Sequence, residues 1–276
     1  MKKFIITIDI EQDISSKLKD SYKGIEALPE FLDLLKKHDL KACFFTTADV
    51  CIKYPEIIKR IVREGHELGC HGLNHEMFWF KSYRKQLREI KKATEIIENV
   101  SGIRPKMFRT PKFGVSGKTI KALEEVGYQI DSSVMPNAAT RIFKGLYTVH
   151  SLVGAPRTPY YPSYKDVTKE GDSTILEIPL TESPVKGVTI GSGSLNKFGI
   201  DKMVKAISQV EQDYIMFLMH PWELVNLRKY YPDLKEWVLE LCSDNLGEFE
   251  KLFEYAKENY VISIISEIAE DYNYKR

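Results

Sequence analysis

The 276-residue chain reads as an α/β protein in which seven or eight parallel strands close into a (β/α) barrel. Three observations predict this. Short apolar, β-branched runs alternate with amphipathic helical stretches along the chain, the pattern of right-handed βαβ units. No internal repeat, low-complexity tract or linker interrupts them, so one domain spanning 1–276 is expected. Reactive residues recur at the C-terminal ends of the runs, where barrel chemistry gathers.

Residues 3–9 alternate Ile and Thr and end in Asp9, a buried first strand. Residues 11–24 are polar and irregular. Ile25, Leu28, Phe31, Leu32 and Leu35 then share one face of a helix over 24–38. The apolar run 42–46 is a second strand. Pro55 suits the first turn of a helix over 55–64, which Gly65 ends. Residues 66–70 form a third strand that delivers His71 to its end. A long helix over 81–100 stops at Ser101-Gly102, and 106–109 is a fourth strand ending in Arg109. Ser116 caps a helix closed by Gly127, and 128–131 is a fifth strand ending in Asp131. From 132 to 173, Pro, Tyr, Gly and Thr dominate and predict a long irregular excursion. Residues 174–178 return as a strand. A helix over 201–212, a strand over 214–219 ending beside His220, and a closing helix–strand–helix over 245–257, 260–265 and the acidic tail complete the chain.

Composition narrows the function classes. Hydrophobic residues at 43% and charged residues at 29% are ordinary for a globular protein with a sizeable core. Forty basic against 39 acidic side chains leave a net charge of +1, which builds no field for nucleic acid or an anionic membrane. Asp9 breaks the N-terminal apolar run before a signal sequence is complete, and no stretch approaches the ~20 apolar residues of a membrane span. Cys43, Cys51, Cys70 and Cys242 contain no Cys-x-x-Cys and read as buried thiols of a reducing compartment. A cytoplasmic location is expected. A closed barrel exposes no long sheet edge, so nothing here fixes an oligomeric state.

The densest chemistry lies between Gly65 and His75, which holds three of the six histidines. His71 and His75, four residues apart, put two imidazoles within reach of one ion, and imidazole nitrogen suits zinc, cobalt or iron. A histidine pair alone is more often surface decoration. Its company argues otherwise: Asp9, Glu11, Arg109, Pro111, Asp131 and His220 stand at or just beyond other strand ends. Two imidazoles and a carboxylate leave positions for water and substrate, an arrangement for hydrolysis. Hydrolysis also needs a base and an acid, for which Asp9 and His220 are the candidates. Arg109 beside Asp9 would keep that carboxylate ionised, and Asp131 beside His220 would favour the imidazolium. His38, His66 and His150 read as structural.

In this order the residues resemble the five motifs of the NodB-type polysaccharide deacetylases, carbohydrate esterase family 4. The matching pieces are Thr7-Ile8-Asp9, His71-x-x-x-His75 after Gly65-His66-Glu67, Arg109-x-Pro111, Asp131-Ser132-Ser133 and Phe217-Leu218-Met219-His220. The resemblance runs from the first strand to about residue 223. It implies a distorted (β/α) barrel and a divalent metal, zinc first, with cobalt, manganese or iron as alternatives. It also implies metal-assisted hydrolysis of an amide or ester, typically the N-acetyl group of an amino sugar. Carried over by position, Asp9 would be the base, His71 and His75 metal ligands, and His220 the acid. Arg109 would tune Asp9, and Asp131 would tune His220. Backbone N–H groups beyond Pro111, near Lys112 and Phe113, would help hold the oxyanion.

Two departures stand out. Ile10 follows Asp9 where the family commonly has a second aspartate as metal ligand, so Glu11 is the expected third ligand with Asp13 in reserve. Arg109-Thr110-Pro111-Lys112-Phe113-Gly114 replaces the commoner Arg-Pro-Pro-Tyr/Phe-Gly, a form that resembles cytoplasmic relatives acting on small or lipid-linked substrates. Trp222 is expected either at the barrel mouth, where sugars stack, or as a packing residue; Tyr160-Tyr161-Pro162 either arches over the mouth or is a rigid surface loop, and Glu177 is a carboxylate of the pocket or just behind it.

The function expected is hydrolysis of a C–N bond in an N-acetylated saccharide, sugar conjugate or related small amide. One rival is the opening of a cyclic amide or imide on the same scaffold, as allantoinase-like relatives do. The other is a catalytically silent carbohydrate-binding protein. A silent binder has no need of a paired acid and base, so the joint presence of Asp9, Arg109 and His220 favours an enzyme.

Overall fold

A computed structural model describes the chain except residues 15–17, 19, 137–138, 143–146 and 275–276. The side chains of 139–142, 147–151 and 274, His150 among them, also lie outside the described part. In chain order the elements are β1 (Lys3–Ile10), α1 (Lys23–Lys37), β2 (Cys43–Thr46), α2 (Ala48–Lys53), α3 (Pro55–Arg63), β3 (Glu67–Cys70) and α4 (Tyr83–Ser101). There follow β4 (Met107–Phe108), α5 (Gly117–Val126), β5 (Ile130–Asp131), β6 (Ala139–Ile142), β7 (Tyr147–Ser151), β8 (Leu176–Glu177), α6 (Ser192–Phe198) and α7 (Ile200–Ser208). The chain closes with β9 (Tyr214–Met219), α8 (Glu236–Leu239), α9 (Leu246–Asn259), β10 (Val261–Ser263) and α10 (Ile265–Tyr274).

The main sheet has the order β10-β1-β2-β3-β4-β5-β8, with β9 also pairing β1. The pairings of β1 with β9 and β10, and of β3–β4, β4–β5 and β5–β8, are all parallel. This is the distorted (β/α) barrel class, with helices in the crossovers. The chain packs as two compact units, each assembled from three segments.

The first unit comprises Met1–Phe44, Tyr54–Glu67 and Glu182–Ile264. Its centre is β1, in which Phe4 to Ile10 are all buried because both faces of the strand are covered. Phe4 stacks on Phe217 of β9, and Phe31 of α1 meets Phe249 and Phe253 of α9 edge-on at 5.9 and 6.0 Å. Each such ring withdrawn from water is worth ~1.5–3 kcal/mol. The register pairs Ile8 with Met219, so Asp9 and His220 are the next residues along two neighbouring parallel strands.

The second unit comprises Phe45–Lys53, Leu68–Thr181 and Ile265–Arg276. Its strands form one row: Cys70 pairs with Phe108, Phe108 with Asp131, and Asp131 with Glu177. The helices end as their sequences require. Ser82 caps α4 by accepting from the Lys85 N–H, and a Ser116–Thr119 capping box opens α5.

Several expectations needed correction. The stretch 132–173 is not wholly irregular, since β6 and β7 pair there as an antiparallel hairpin. The sequence reading also missed α2, α6 and α8. These helices are only four to seven residues long. Such short elements show too little periodicity to be read locally.

Candidate active site

In the second unit, β3 ends at Cys70 and delivers His71, which is 2% exposed. Its Nδ1 lies 2.8 Å from the carbonyl of Arg109, the residue that follows β4. Such a carbonyl fixes the ring and makes Nδ1 the protonated nitrogen, so Nε2 is the atom left for a metal. The His75 ring lies 5.5 Å from that of His71, the two inclined by 28°.

Arg109 is fully buried. Its Nε donates to the carbonyl of Ser132 at 2.8 Å, one terminal nitrogen donates to Ser132 Oγ at 3.0 Å, and its guanidinium lies over the Phe45 ring at 4.2 Å. A buried guanidinium is costly unless its N–H groups are paired, and these bonds supply that pairing.

Beyond Arg109, the turn Pro111–Phe113 carries Lys112 and Phe113 at φ 55° and 54°. Left-handed backbone is uncommon for side chains of this size, and such strain clusters at functional turns. The Phe113 N–H donates to the carbonyl of Thr110 at 3.0 Å. That bond engages one of the two N–H groups expected to hold an oxyanion.

Asp131 and Glu177 are a buried carboxyl pair in adjacent registers of β5 and β8. Burial pushes both carboxyls up, Glu177 well above the usual range, where the Asp131 charge raises it further. Asp131 receives the Ser133 hydroxyl at 2.6 Å, and Glu177 Oε1 receives the N–H groups of Ser133 and Val134 at 3.2 and 2.9 Å. Glu177, expected in the pocket or just behind it, is fully buried. Tyr160, expected to arch over the mouth, is fully buried and pairs its backbone with Glu177 along the β8 edge.

In the first unit, Asp9 is 1% and Glu11 3% exposed at the end of β1. Asp13, held in reserve as a ligand, is engaged elsewhere. Its Oδ2 accepts the Ser21 hydroxyl and the Lys23 N–H, each at 2.6 Å, and its Oδ1 accepts the Gly24 N–H at 2.9 Å. It caps the N-terminus of α1 from ten residues away, where Tyr22 offers no side-chain cap.

His220 follows β9. Burial alone would lower its pKa, but the carboxylates of Glu223, Glu11 and Asp9 outweigh burial and push it up to about 9. Its Nδ1 lies 3.3 Å from Glu223 Oε2, a partner the sequence reading missed although it stands only three residues on. Trp222 does not stand in solvent for a sugar to stack on. It is 4% exposed, sits in a cluster with Val225, Leu227, Leu239 and Cys242, and stacks on the His220 ring at 5.3 Å.

The histidines read as structural behave so where described. His66 Nδ1 accepts the Ala42 N–H at 3.3 Å, and burial with the nearby Lys41 charge lowers its pKa to about 4. His38 Nε2 lies 2.9 Å from Glu250. The four cysteines are free and buried, and among the described residues no helix is long and apolar enough to cross a membrane.

Comparison with known proteins places part of the chain. The family model for polysaccharide deacetylases matches residues 11–130. Among curated deacetylases, the Bacillus cereus peptidoglycan-N-acetylglucosamine deacetylase is 32% identical over 111 residues, 40% of each chain. The Helicobacter pylori peptidoglycan deacetylase is 31% identical over 132 residues, 48% of this chain and 44% of its own. The matched stretch thus spans less than half of either relative.

Solved structures share the fold of this chain more widely. A Mycobacterium smegmatis protein described as a candidate polysaccharide deacetylase superposes with a TM-score of 0.67 at 18% identity, covering 99% of this chain and 91% of its own. A family 4 pseudoenzyme from Bacillus anthracis gives 0.57 at 17% identity, covering 97% and 65%.

Proposed function

We propose that this chain is a polysaccharide deacetylase, a metal-dependent N-deacetylase of an N-acetylated saccharide or sugar conjugate. One observation carries the reading: the His71 and His75 rings lie 5.5 Å apart, inclined by 28°, and Glu11 is the carboxylate assigned to join them. Two imidazoles and a carboxylate are a zinc-type donor set, with cobalt, manganese and iron as alternatives. His71 is already oriented for it through Nδ1. The family-model match and the peptidoglycan deacetylases among the curated relatives support the substrate class.

When bound, a divalent ion would acidify a water molecule and polarise the amide carbonyl. The chain's own residues supply the rest. Asp9 takes the proton of the attacking water as its oxygen bonds to the carbonyl carbon. Arg109 is assigned to keep Asp9 ionised, and the Lys112 N–H donates to the oxyanion. The C–N bond then breaks, its electron pair leaves on nitrogen, and His220 delivers a proton there. Acetate and a free amine result.

Metal analysis and acetate release test this together. Purified protein reloaded with zinc should hold it, and H71A and H75A should lose both metal and turnover. D9N should keep the metal and lose turnover by ~10²–10⁴, the usual contribution of a general base. Absence of metal after reloading refutes the reading. Ring opening of a cyclic imide without acetate release would move the activity to the rival reaction, and glycan binding that survives chelation without hydrolysis would make the chain a silent binder.

A further inference from the structure

Glu223 occupies the turn Pro221–Leu224 that follows β9. Its Oε2 accepts the backbone N–H of His220 at 2.9 Å, accepts the hydroxyl of Ser192 at the start of α6, and lies 3.3 Å from His220 Nδ1. It is 6% exposed, so water screens its charge poorly. Gly193 keeps the room for it, because a Cβ at that position would stand 2.7 Å from Oε1. The turn is pinned from two further sides. Its Glu223 carbonyl accepts Asn196 Nδ2 at 2.7 Å and the Ser243 N–H at 3.1 Å. So many ties on one buried acidic residue exceed what ending a strand requires.

We propose that Glu223 is the positioning residue of His220: its carboxylate accepts a hydrogen bond from Nδ1–H, which leaves Nε2 as the proton-donating atom, while Ser192 and Gly193 hold the carboxylate in place. This rests on His220 being the acid of the proposed reaction. It gives Glu223 the task that motif order assigned to Asp131, whose carboxylate engages Ser133 and Glu177 within its own unit. A partner three residues away moves with the histidine it serves, so the pair keeps its geometry whatever occupies the other strand ends. Asp9 and Glu11 also face the imidazole and add to its charge, but neither is hydrogen-bonded to Nδ1 in the way Glu223 is.

The test uses full-length protein labelled with ¹⁵N at histidine, comparing wild type, E223Q, E223D and D131N. Nitrogen shifts report which ring nitrogen of His220 is protonated and where it titrates, with no turnover required. Glutamine keeps an acceptor for the His220 N–H and the Ser192 hydroxyl, so E223Q should fold. In E223Q the Nδ1–H preference should disappear and His220 should titrate at least about one pH unit lower, the effect of losing one close charge. Its kcat should fall roughly ten- to a hundredfold with KM within about threefold, a fraction of what acid catalysis supplies. E223D should retain the wild-type tautomer, and D131N should leave the His220 spectrum in place. An E223Q spectrum identical to wild type overturns the proposal, as does a D131N shift equal to or larger than that of E223Q. If no acetate is released by any variant, the proposed activity fails, while the nitrogen shifts still decide the role of Glu223.

Discussion

Replacing Glu177 by glutamine should be nearly silent, while replacing it by alanine should be severe. Oε1 of Glu177 accepts two backbone N–H groups, from Ser133 at 3.2 Å and Val134 at 2.9 Å, and its other oxygen faces Asp131 across the β5–β8 pair. Burial and the Asp131 charge push the Glu177 pKa up and so favour its protonated form, which would donate to the Asp131 carboxylate. Glutamine reproduces this arrangement, with its carbonyl accepting the two N–H groups and its amide donating to Asp131. E177Q should therefore cost less than ~1 kcal/mol, a single exchanged hydrogen bond. Alanine leaves two buried donors and one buried carboxylate without their partner, at ~1–3 kcal/mol each, so E177A should cost roughly 3–9 kcal/mol.

Urea denaturation followed by tryptophan fluorescence reads both, and the infrared carbonyl band of a protonated carboxyl should vanish in E177Q. The pH dependence has a definite sign. A carboxyl whose folded pKa is raised contributes stability below its unfolded value near 4.5, and loses it as pH rises through the folded value. Wild type should thus weaken from this pair as pH rises above about 4, and E177Q should show the shallower slope. An E177Q loss more than half that of E177A would mean that Glu177 is ionised, and the account of the pair would be wrong.

Two further substitutions separate structural from catalytic carboxylates and probe the His220 turn. D13A removes the acceptor of the Lys23 and Gly24 N–H groups and should cost ~1–2 kcal/mol, as cap losses do, while metal content stays at wild type; thermal melts with metal analysis check it, against E11A, which should lose metal. In G24A the new Cβ would stand 2.2 Å from the Trp222 nitrogen and 2.4 Å from the Pro221 carbonyl carbon. Backbone cannot yield like a flexible side chain, so the turn carrying Glu223 should shift, costing ~1–3 kcal/mol in melts and lowering kcat.

Much of the fold was legible because parallel strands buried on both faces write themselves as short apolar runs. The Ser116 and Gly127 signals marked both ends of α5, and Gly102 marked the end of α4. The strand-end residues were legible for the same reason: a run of apolar residues that stops at Asp9, His71, Arg109 or His220 shows where each strand meets solvent or chemistry. Partners set by register were not legible. Asp131 and Glu177 are 46 positions apart, and only the pairing of β5 with β8 makes them neighbours.

Sequence alone determined the parallel α/β class and which strand ends carry reactive side chains, and the order of its short motifs carried the family resemblance, since these depend on local pattern. Tertiary structure decided what each polar group touches. It turned Asp13 into a helix cap, put Trp222 beneath His220 instead of at a mouth, and set Glu223 against the imidazole. Hydrogen bonds act over about 3 Å, a distance fixed by how strands and turns pack and not by spacing along the chain.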